Sequence, residues 1–342
     1  MVWFWIATTI PIALLTLGGL LGGAWAVAAL LYMGGLIHVM DRLVHGAAVR
    51  TGDDEEFPSG LVLSVVLGLA HFPVMAIGIA AVAGVTGLSL GAKLCCFLAF
   101  GLFFGQVSNA NAHELIHKSA RWPRRLGMWV YITLLFGHHT SAHPKVHHIW
   151  VATAKDPNSA RDGESFYHFW PRAWIGSFKA GWHAENAMRA RAGARKSPLH
   201  PYVLYVVGGA ACVLLTAWLA GVGGMLAYVA LASYGTMQLL LSDYVQHYGL
   251  RRAVRESGKP EPVAAGHSWN APQLYTSALM LNAPRHSDHH ATPHRDFPAL
   301  RLEDGMPVLP QSLPLMASLA LWPRMWRRVM DPRVAKLRAS QQ

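Results

Sequence analysis

The chain opens MVWFWIATTIPIALLTLGGLLGGAWAVAALLYMGGLIHVM (residues 1–40), a tract without a single Lys, Arg, Asp or Glu. Wound as one helix it would be about 60 Å long, roughly twice the hydrocarbon core of a bilayer. Gly18, Gly19, Gly22 and Gly23 mark the place where it can turn. The tract therefore reads as a helical hairpin with spans at 2–19 and 22–40. Four further apolar runs follow at 60–82, 88–108, 203–221 and 224–244. Each is long enough, or nearly so, to cross a membrane. No water is present in lipid to satisfy free backbone groups, so each run must be a helix. The expected fold is an all-α integral membrane protein with six transmembrane helices. A signal peptide is not expected, because no basic residue precedes Arg42.

Composition supports the same class. Of 342 residues 53% are hydrophobic and only 14% charged, against about 25% charged in soluble domains. That deficit excludes a cytosolic globule, a disordered chain and a disulfide scaffold. Cys95, Cys96 and Cys212 lie inside apolar runs and act as small hydrophobes. The net charge of +11 is unevenly placed: 28 of the 29 Lys and Arg fall in segments 41–60, 109–202 and 245–342. The turns near 20, 84–87 and 222 have none. Six spans put the three basic segments on one face, which should be cytoplasmic, with both termini inside. The charge is then a topology signal with attraction to anionic lipid. Nucleic acid is not an expected partner, since no binding motif appears and the charges hug the spans. We read residues 1–342 as a single membrane domain with cytoplasmic helical inserts at 109–202 and 245–342. Leu126–Phe136 and Leu313–Trp322 are too short to span and should lie buried or at the interface. Asp53, Asp54, Glu55 and Glu56 read as a solvated loop.

Histidine is the unusual residue: 19 are present, more than the 18 acidic residues. They cluster as His113-Glu-Leu-Ile-His117, as His138-His139-Thr-Ser-Ala-His143-Pro-Lys-Val-His147-His148, and as His286-Ser-Asp-His289-His290, with His247 at the inner end of the sixth span. On a helix, His113 and His117 project from one face and can share a metal. His143 and His147 repeat that i, i+4 spacing, with His148 as a neighbour for a second ion. His286 and His289 form an i, i+3 pair. Neutral imidazole suits iron, copper, zinc and nickel, so residue type alone does not choose the metal. The letters His-Glu-Leu-Ile-His also match a zinc protease helix with Glu114 as base. Three ligands suffice for such a zinc, which leaves six clustered histidines unexplained, and that reading is rejected. Isolated histidines such as His71 and His267 read as surface or satisfied residues. A metal transporter or chaperone would need ionisable residues along the spans, where His71 and Lys93 are the main ones.

Four stretches then carry a family resemblance: His113-Glu-Leu-Ile-His117-Lys118, Val151-Ala-Thr-Ala-Lys-Asp156-Pro157-Asn-Ser159-Ala160-Arg161, His247-Tyr248-Gly249-Leu250 and Arg285-His286-Ser-Asp288-His289-His290. In order and spacing, over about residues 60–300, they resemble the signature of the membrane alkane 1-monooxygenases, a branch of the integral-membrane non-haem di-iron hydroxylases and desaturases. The resemblance implies six spans in a bacterial-type inner membrane. It implies two iron ions on the cytoplasmic side, held by His113, His117, His143, His147, His148, His247, His286, His289 and His290. It further implies O2 as co-substrate, electrons from a rubredoxin or ferredoxin with its NAD(P)H-dependent reductase, and hydroxylation of the terminal methyl of an alkane to a primary alcohol. No side chain beyond the metal ligands is expected to be catalytic. His138 and His139 fall outside the matched positions and, with Glu114 and Asp288, are candidates for outer contacts to the ligand rings.

The chain also departs from the family pattern. Ala142 and Val146 stand where the second histidine box usually has Glu and Gly. Asp243 and Gln246 stand where the fourth usually has Asn and Glu. Groups around a metal tune it, so these changes bear on the substrate. Xylene-type monooxygenases, which hydroxylate methyl groups on aromatic rings, are the alternative, with fatty-acyl desaturases or hydroxylases behind them.

Overall fold

A computed structural model describes residues 1–44, 60–193 and 198–339. Asp53, Asp54, Glu55, Glu56 and His45 lie outside the described residues. The regular elements within them are helices. α1 (Val2–Leu21) and α2 (Gly23–Leu43) are joined at Gly22, whose φ of +65° suits a residue without a Cβ. α3 (Leu61–Ala83) and α4 (Leu90–Ile116) follow, and a fifth long apolar helix, α8 (Pro201–His247), comes later. These five are long and apolar enough to cross a membrane.

The 47-residue α8 is not straight. Gly221 interrupts it with φ +65° and ψ −168°, and the chain doubles back. Cys212, before the break, and Tyr228, after it, line one cavity. On a continuous helix those residues would be about 24 Å apart. The turn expected near 222 therefore falls at Gly221, and the runs 203–221 and 224–244 are the two arms of one element.

Between α4 and α8 lie α5 (Arg121–Thr133), α6 (residues 139–150) and α7 (Phe166–Ala192). After α8 come the short α9 (Leu274–Leu279) and α10 (His286–Ala291), then α11 (Leu313–Ala320) and α12 (Pro323–Ala339). Leu126–Phe136 thus falls largely in α5, and the run from Leu313 opens α11.

α4 runs eight residues past the apolar stretch that ends at Ser108. Its last turns are polar, yet buried, because neighbouring backbones take up the side chains. Asn109 donates to the Gly235 carbonyl at 2.8 Å and Asn111 to that of Ser64 at 2.9 Å. Small residues let the helices approach this closely: a Cβ on Gly105 would sit 2.3 Å from the Gln238 carboxamide carbon. The outward face is the reverse of a soluble protein's, with Leu214, Trp218 and Leu219 each more than two-thirds exposed. Such a face suits a lipid surrounding. Trp25 belongs to it as well, rather than to the core, with 45% of its surface exposed.

Candidate metal centre

The C-terminal ends of α4 and α8 meet α6 and α10, and this junction concentrates the histidines. His113 and His117 sit on the last turns of α4. His143, His147 and His148 come from α6, whose middle is a π-helical turn at His143–His147. His247 ends α8, and α10 supplies His286, His289 and His290. Two groups form, one of His113, His117, His143, His148 and His289, the other of His147, His247, His286 and His290; within each, the candidate ligand atoms lie within 4.8 Å of one another. The groups abut, with the His148 and His290 ring centroids 4.6 Å apart.

The partition differs from the sequence spacing in two places. His143 was expected to pair with His147, but it shares a group with His148, and His147 joins the other. The π-turn is the cause: the His148 N–H bonds the His143 carbonyl, closing an i, i+5 ring that stacks residues five apart. Likewise His286 was expected to pair with His289. On α10 it lies over His290 instead (Nε2 to Nε2 3.1 Å), while His289 turns to His148 at the same distance.

Nitrogen meets nitrogen throughout. His113 and His143 approach at 2.7 Å, His143 and His148 at 2.9 Å, His247 and His286 at 3.0 Å, all through Nε2. A metal with bonds of about 2.1 Å to imidazole places cis ligand atoms about 3 Å apart. The Nε2 atoms of His117 and His147 are buried without any hydrogen-bond partner. Buried polar atoms rarely go unsatisfied; convergent lone pairs on neutral rings are what a cation requires. Burial first, and the neighbouring rings second, hold His143, His148, His286, His289 and His290 well below the ordinary imidazole range. The donor set fits two divalent transition-metal ions.

His147 is buttressed by Asp156. Its Nδ1 donates to Asp156 Oδ2 at 2.9 Å, and the same carboxylate accepts from Ser159 Oγ (2.6 Å) and the Asn158 N–H (3.0 Å). Burial opposes charge on both partners, yet the pair holds Asp156 below the usual carboxylate range and raises His147. The proton therefore stays on Nδ1 and aims Nε2 at the second group. No role was expected of Asp156, although its signal was in view: in Asp-Pro-Asn-Ser the Asp side chain caps the backbone two residues on. Asn158 in turn donates to Asp243 on α8 at 2.6 Å, tying this loop to the arm that ends in His247.

The four outer candidates separate. Glu114 was proposed to accept an imidazole N–H; it pairs instead with Lys118 at 2.6 Å and accepts the Phe297 N–H. Asp288 likewise takes the Arg295 guanidinium at 2.7 Å and the Arg301 N–H at 2.8 Å, fixing the turn after α10 rather than a ring. Both carboxylates are pulled to cations that neutral imidazoles cannot outbid. His138 bonds Ser177 at 3.1 Å and packs on Phe136, away from both groups. His139 stacks on Phe136 and lies 4.8 Å from the His143 ring. His71, as read from the sequence, is satisfied, by Ser108 and Thr133.

A small cavity of about 50 Å³ reaches His113 and His143 of the first group and His286 of the second. Leu239, Met280 and Leu313 give it an apolar wall, with Asn109, Tyr131 and Asp243 beside the rings.

Residues 88–318 match the family described as fatty acid desaturase. Among curated relatives, alkane 1-monooxygenase 2 of Alcanivorax borkumensis is 29% identical over 91% of this chain and 82% of its own length. Alkane 1-monooxygenase 1 of Pseudomonas aeruginosa is 32% identical over 91% and 83%. A xylene/toluene monooxygenase hydroxylase component of Pseudomonas putida is 27% identical over 68% and 61%. Fold, histidine groups and kinship define a membrane-bound oxidoreductase of the desaturase class. Within that class the chain belongs to the alkane 1-monooxygenase family.

Proposed function

We propose that the chain is a single six-span domain that hydroxylates the terminal methyl group of alkanes to primary alcohols at a di-iron centre held by the nine converging histidines. The observation that carries this is the pair of abutting imidazole groups beside one apolar cavity. When bound there, two iron ions supply the activation of O2 that a C–H bond of this strength requires. The protein's own residues do the rest. The first group offers five imidazoles and the second four, and Asp156 keeps His147 in the required tautomer. Leu239, Met280 and Leu313 admit a hydrocarbon chain and exclude bulk water from the reacting end, the role expected of a protein whose cofactor performs the hard step.

Six crossings follow if the two arms of α8 each span, which about 70 Å of helix in a bilayer of about 30 Å demands. The basic segments then share the cytoplasmic face of a bacterial inner membrane with both termini and the site. That face suits a small acidic electron carrier, a rubredoxin or ferredoxin reduced by its NAD(P)H-dependent partner. The xylene/toluene relative supports a second substrate class, methyl groups on aromatic rings.

The test is conversion of a panel of n-alkanes and methylarenes under ¹⁸O2, in cells supplying the electron carriers. Labelled primary alcohols from alkanes are expected. Labelled benzylic alcohols alone would move the assignment to the second class, unsaturated products would move it to a desaturase, and no product from any hydrocarbon would overturn it.

A further inference from the structure

α7 lies along α6, the element that supplies His143, His147 and His148, and its buried face carries Ser177, Gly181 and Glu185 at the helical repeat. Ser177 bonds His138 at 3.1 Å, and a Cβ on Gly181 would stand 3.1 Å from the Ala142 Cα. One turn on, Glu185 is 4% exposed and meets two side chains of α6 through a single oxygen. Its Oε1 accepts from Ser141 Oγ at 2.5 Å and from the Lys145 ammonium. Ser141 also bonds the Tyr205 hydroxyl on α8 at 2.9 Å. A carboxylate is expensive to bury unless it is paired and hydrogen-bonded. Packing alone would be served as well by an apolar residue of the same volume.

We infer that Glu185 is a positioning residue for the first histidine group: it grips α6 on the side away from the metal centre and so aims His143. Ser141 and Lys145 stand two residues before and two after His143, and side chains two apart on a helix do not share a face. Both donors therefore reach Glu185 from behind, while the His143 ring turns to His113 and His148. The grip also spans the start of the π-turn, with Ser141 before it and Lys145 inside it. His143 needs this support more than His147 does. Asp156 steers His147 at Nδ1, whereas Nδ1 of His143 is buried with no hydrogen-bond partner. With nothing holding its far nitrogen, the His143 ring takes its direction from the backbone that carries it, and Glu185 ties that backbone on either side of the ring.

The inference rests on the proposed metal centre and is independent of the substrate oxidised there. In the test, the full-length protein in nanodiscs is loaded with Co2+, whose visible bands report the arrangement of its ligands, and release to a chelator is followed over time. Asp156→Asn, acting through His147, marks the release phase of the second group. Glu185→Gln keeps the shape and removes the charge. It should release the ion of the first group about tenfold faster, equal to about 1.4 kcal/mol and near the low end for a hydrogen bond to a charged group. The second phase should change far less, and the visible bands of the first ion should shift.

Lys145→Met should do the same, and the double variant should be no faster than the faster single variant, because the two residues act as one unit. Unchanged release and bands in both single variants overturn the inference. So do effects that multiply in the double variant. Equal acceleration of both phases, in step with a lower melting temperature, overturns it as well, since Glu185 would then only hold the fold. If Glu185→Gln does not fold, Lys145→Met reads the same pair from α6. Wild-type protein that binds no Co2+ sinks the metal-centre reading, whereas two bound ions released normally by the variants sink this inference alone.

Discussion

Asp156 holds the His147 ring by Nδ1, and where such a ring binds a metal, outer partners of this kind are commonly worth 10- to 100-fold in affinity. Asp156→Asn, which removes the charge and keeps the shape, should lower iron retention by about that factor, read as metal content after a timed chelator challenge. Glu114→Gln and Asp288→Asn should affect retention far less, since each carboxylate serves a cation and a backbone N–H. The buried rings also set a pH dependence. Burial depresses the folded-state pKa of His143, His148, His286, His289 and His290, whereas the unfolded chain takes protons near the ordinary value of about 6.5. Below that pH the unfolded state binds more protons, so stability falls as pH falls. The metal-free protein should therefore lose melting temperature steadily below about pH 6.5 and vary little above it. A flat profile from pH 7.5 down to 5 would contradict neutral rings.

Two elements owe their function to a departure from regular helix. The π-turn in α6 sends His143 and His148 to one group and His147 to the other. Deleting Val146 restores an ordinary four-residue period and should bring bound iron below half of the wild-type content, measured by elemental analysis against protein mass. Retention of full iron would show that α10 alone decides the partition. Gly221 bends α8 with φ +65° and ψ −168°, a region essentially confined to glycine that costs other residues about 1–3 kcal/mol. Gly221→Leu should lower the melting temperature in detergent by a few degrees. Gly105→Leu should do more, because Gln238 occupies the space a side chain would need. Such irregularities are what a spacing rule misses: His-x-x-x-His assumes 3.6 residues per turn, and inside α6 that assumption fails locally.

Among the described residues, the long apolar helices gather the histidine groups at one end of the bundle. If the basic segments share the cytoplasmic face, then in a chain lacking Cys95, Cys96 and Cys212 a cysteine at Val85, which is 67% exposed in the turn between α3 and α4, should react with an impermeant maleimide from outside. One at Ser257, in the segment after α8, should react only when the inner face is opened. The reverse pattern would overturn the orientation while leaving the centre intact.

Hydrophobic run length and the glycines between runs were sufficient to read an all-α fold of long apolar helices, because transfer of a segment into lipid depends on its own composition and little on its neighbours. The histidine clusters were legible for a similar reason, since metal chemistry needs those donors whatever the backbone does. Which rings fall into which group, the part played by Asp156, and the diversion of Glu114 and Asp288 to cations were not legible. Each depends on residues distant in the chain meeting at distances of about 3 Å, and those meetings are set by how the helices pack and where a single π-turn shifts their phase.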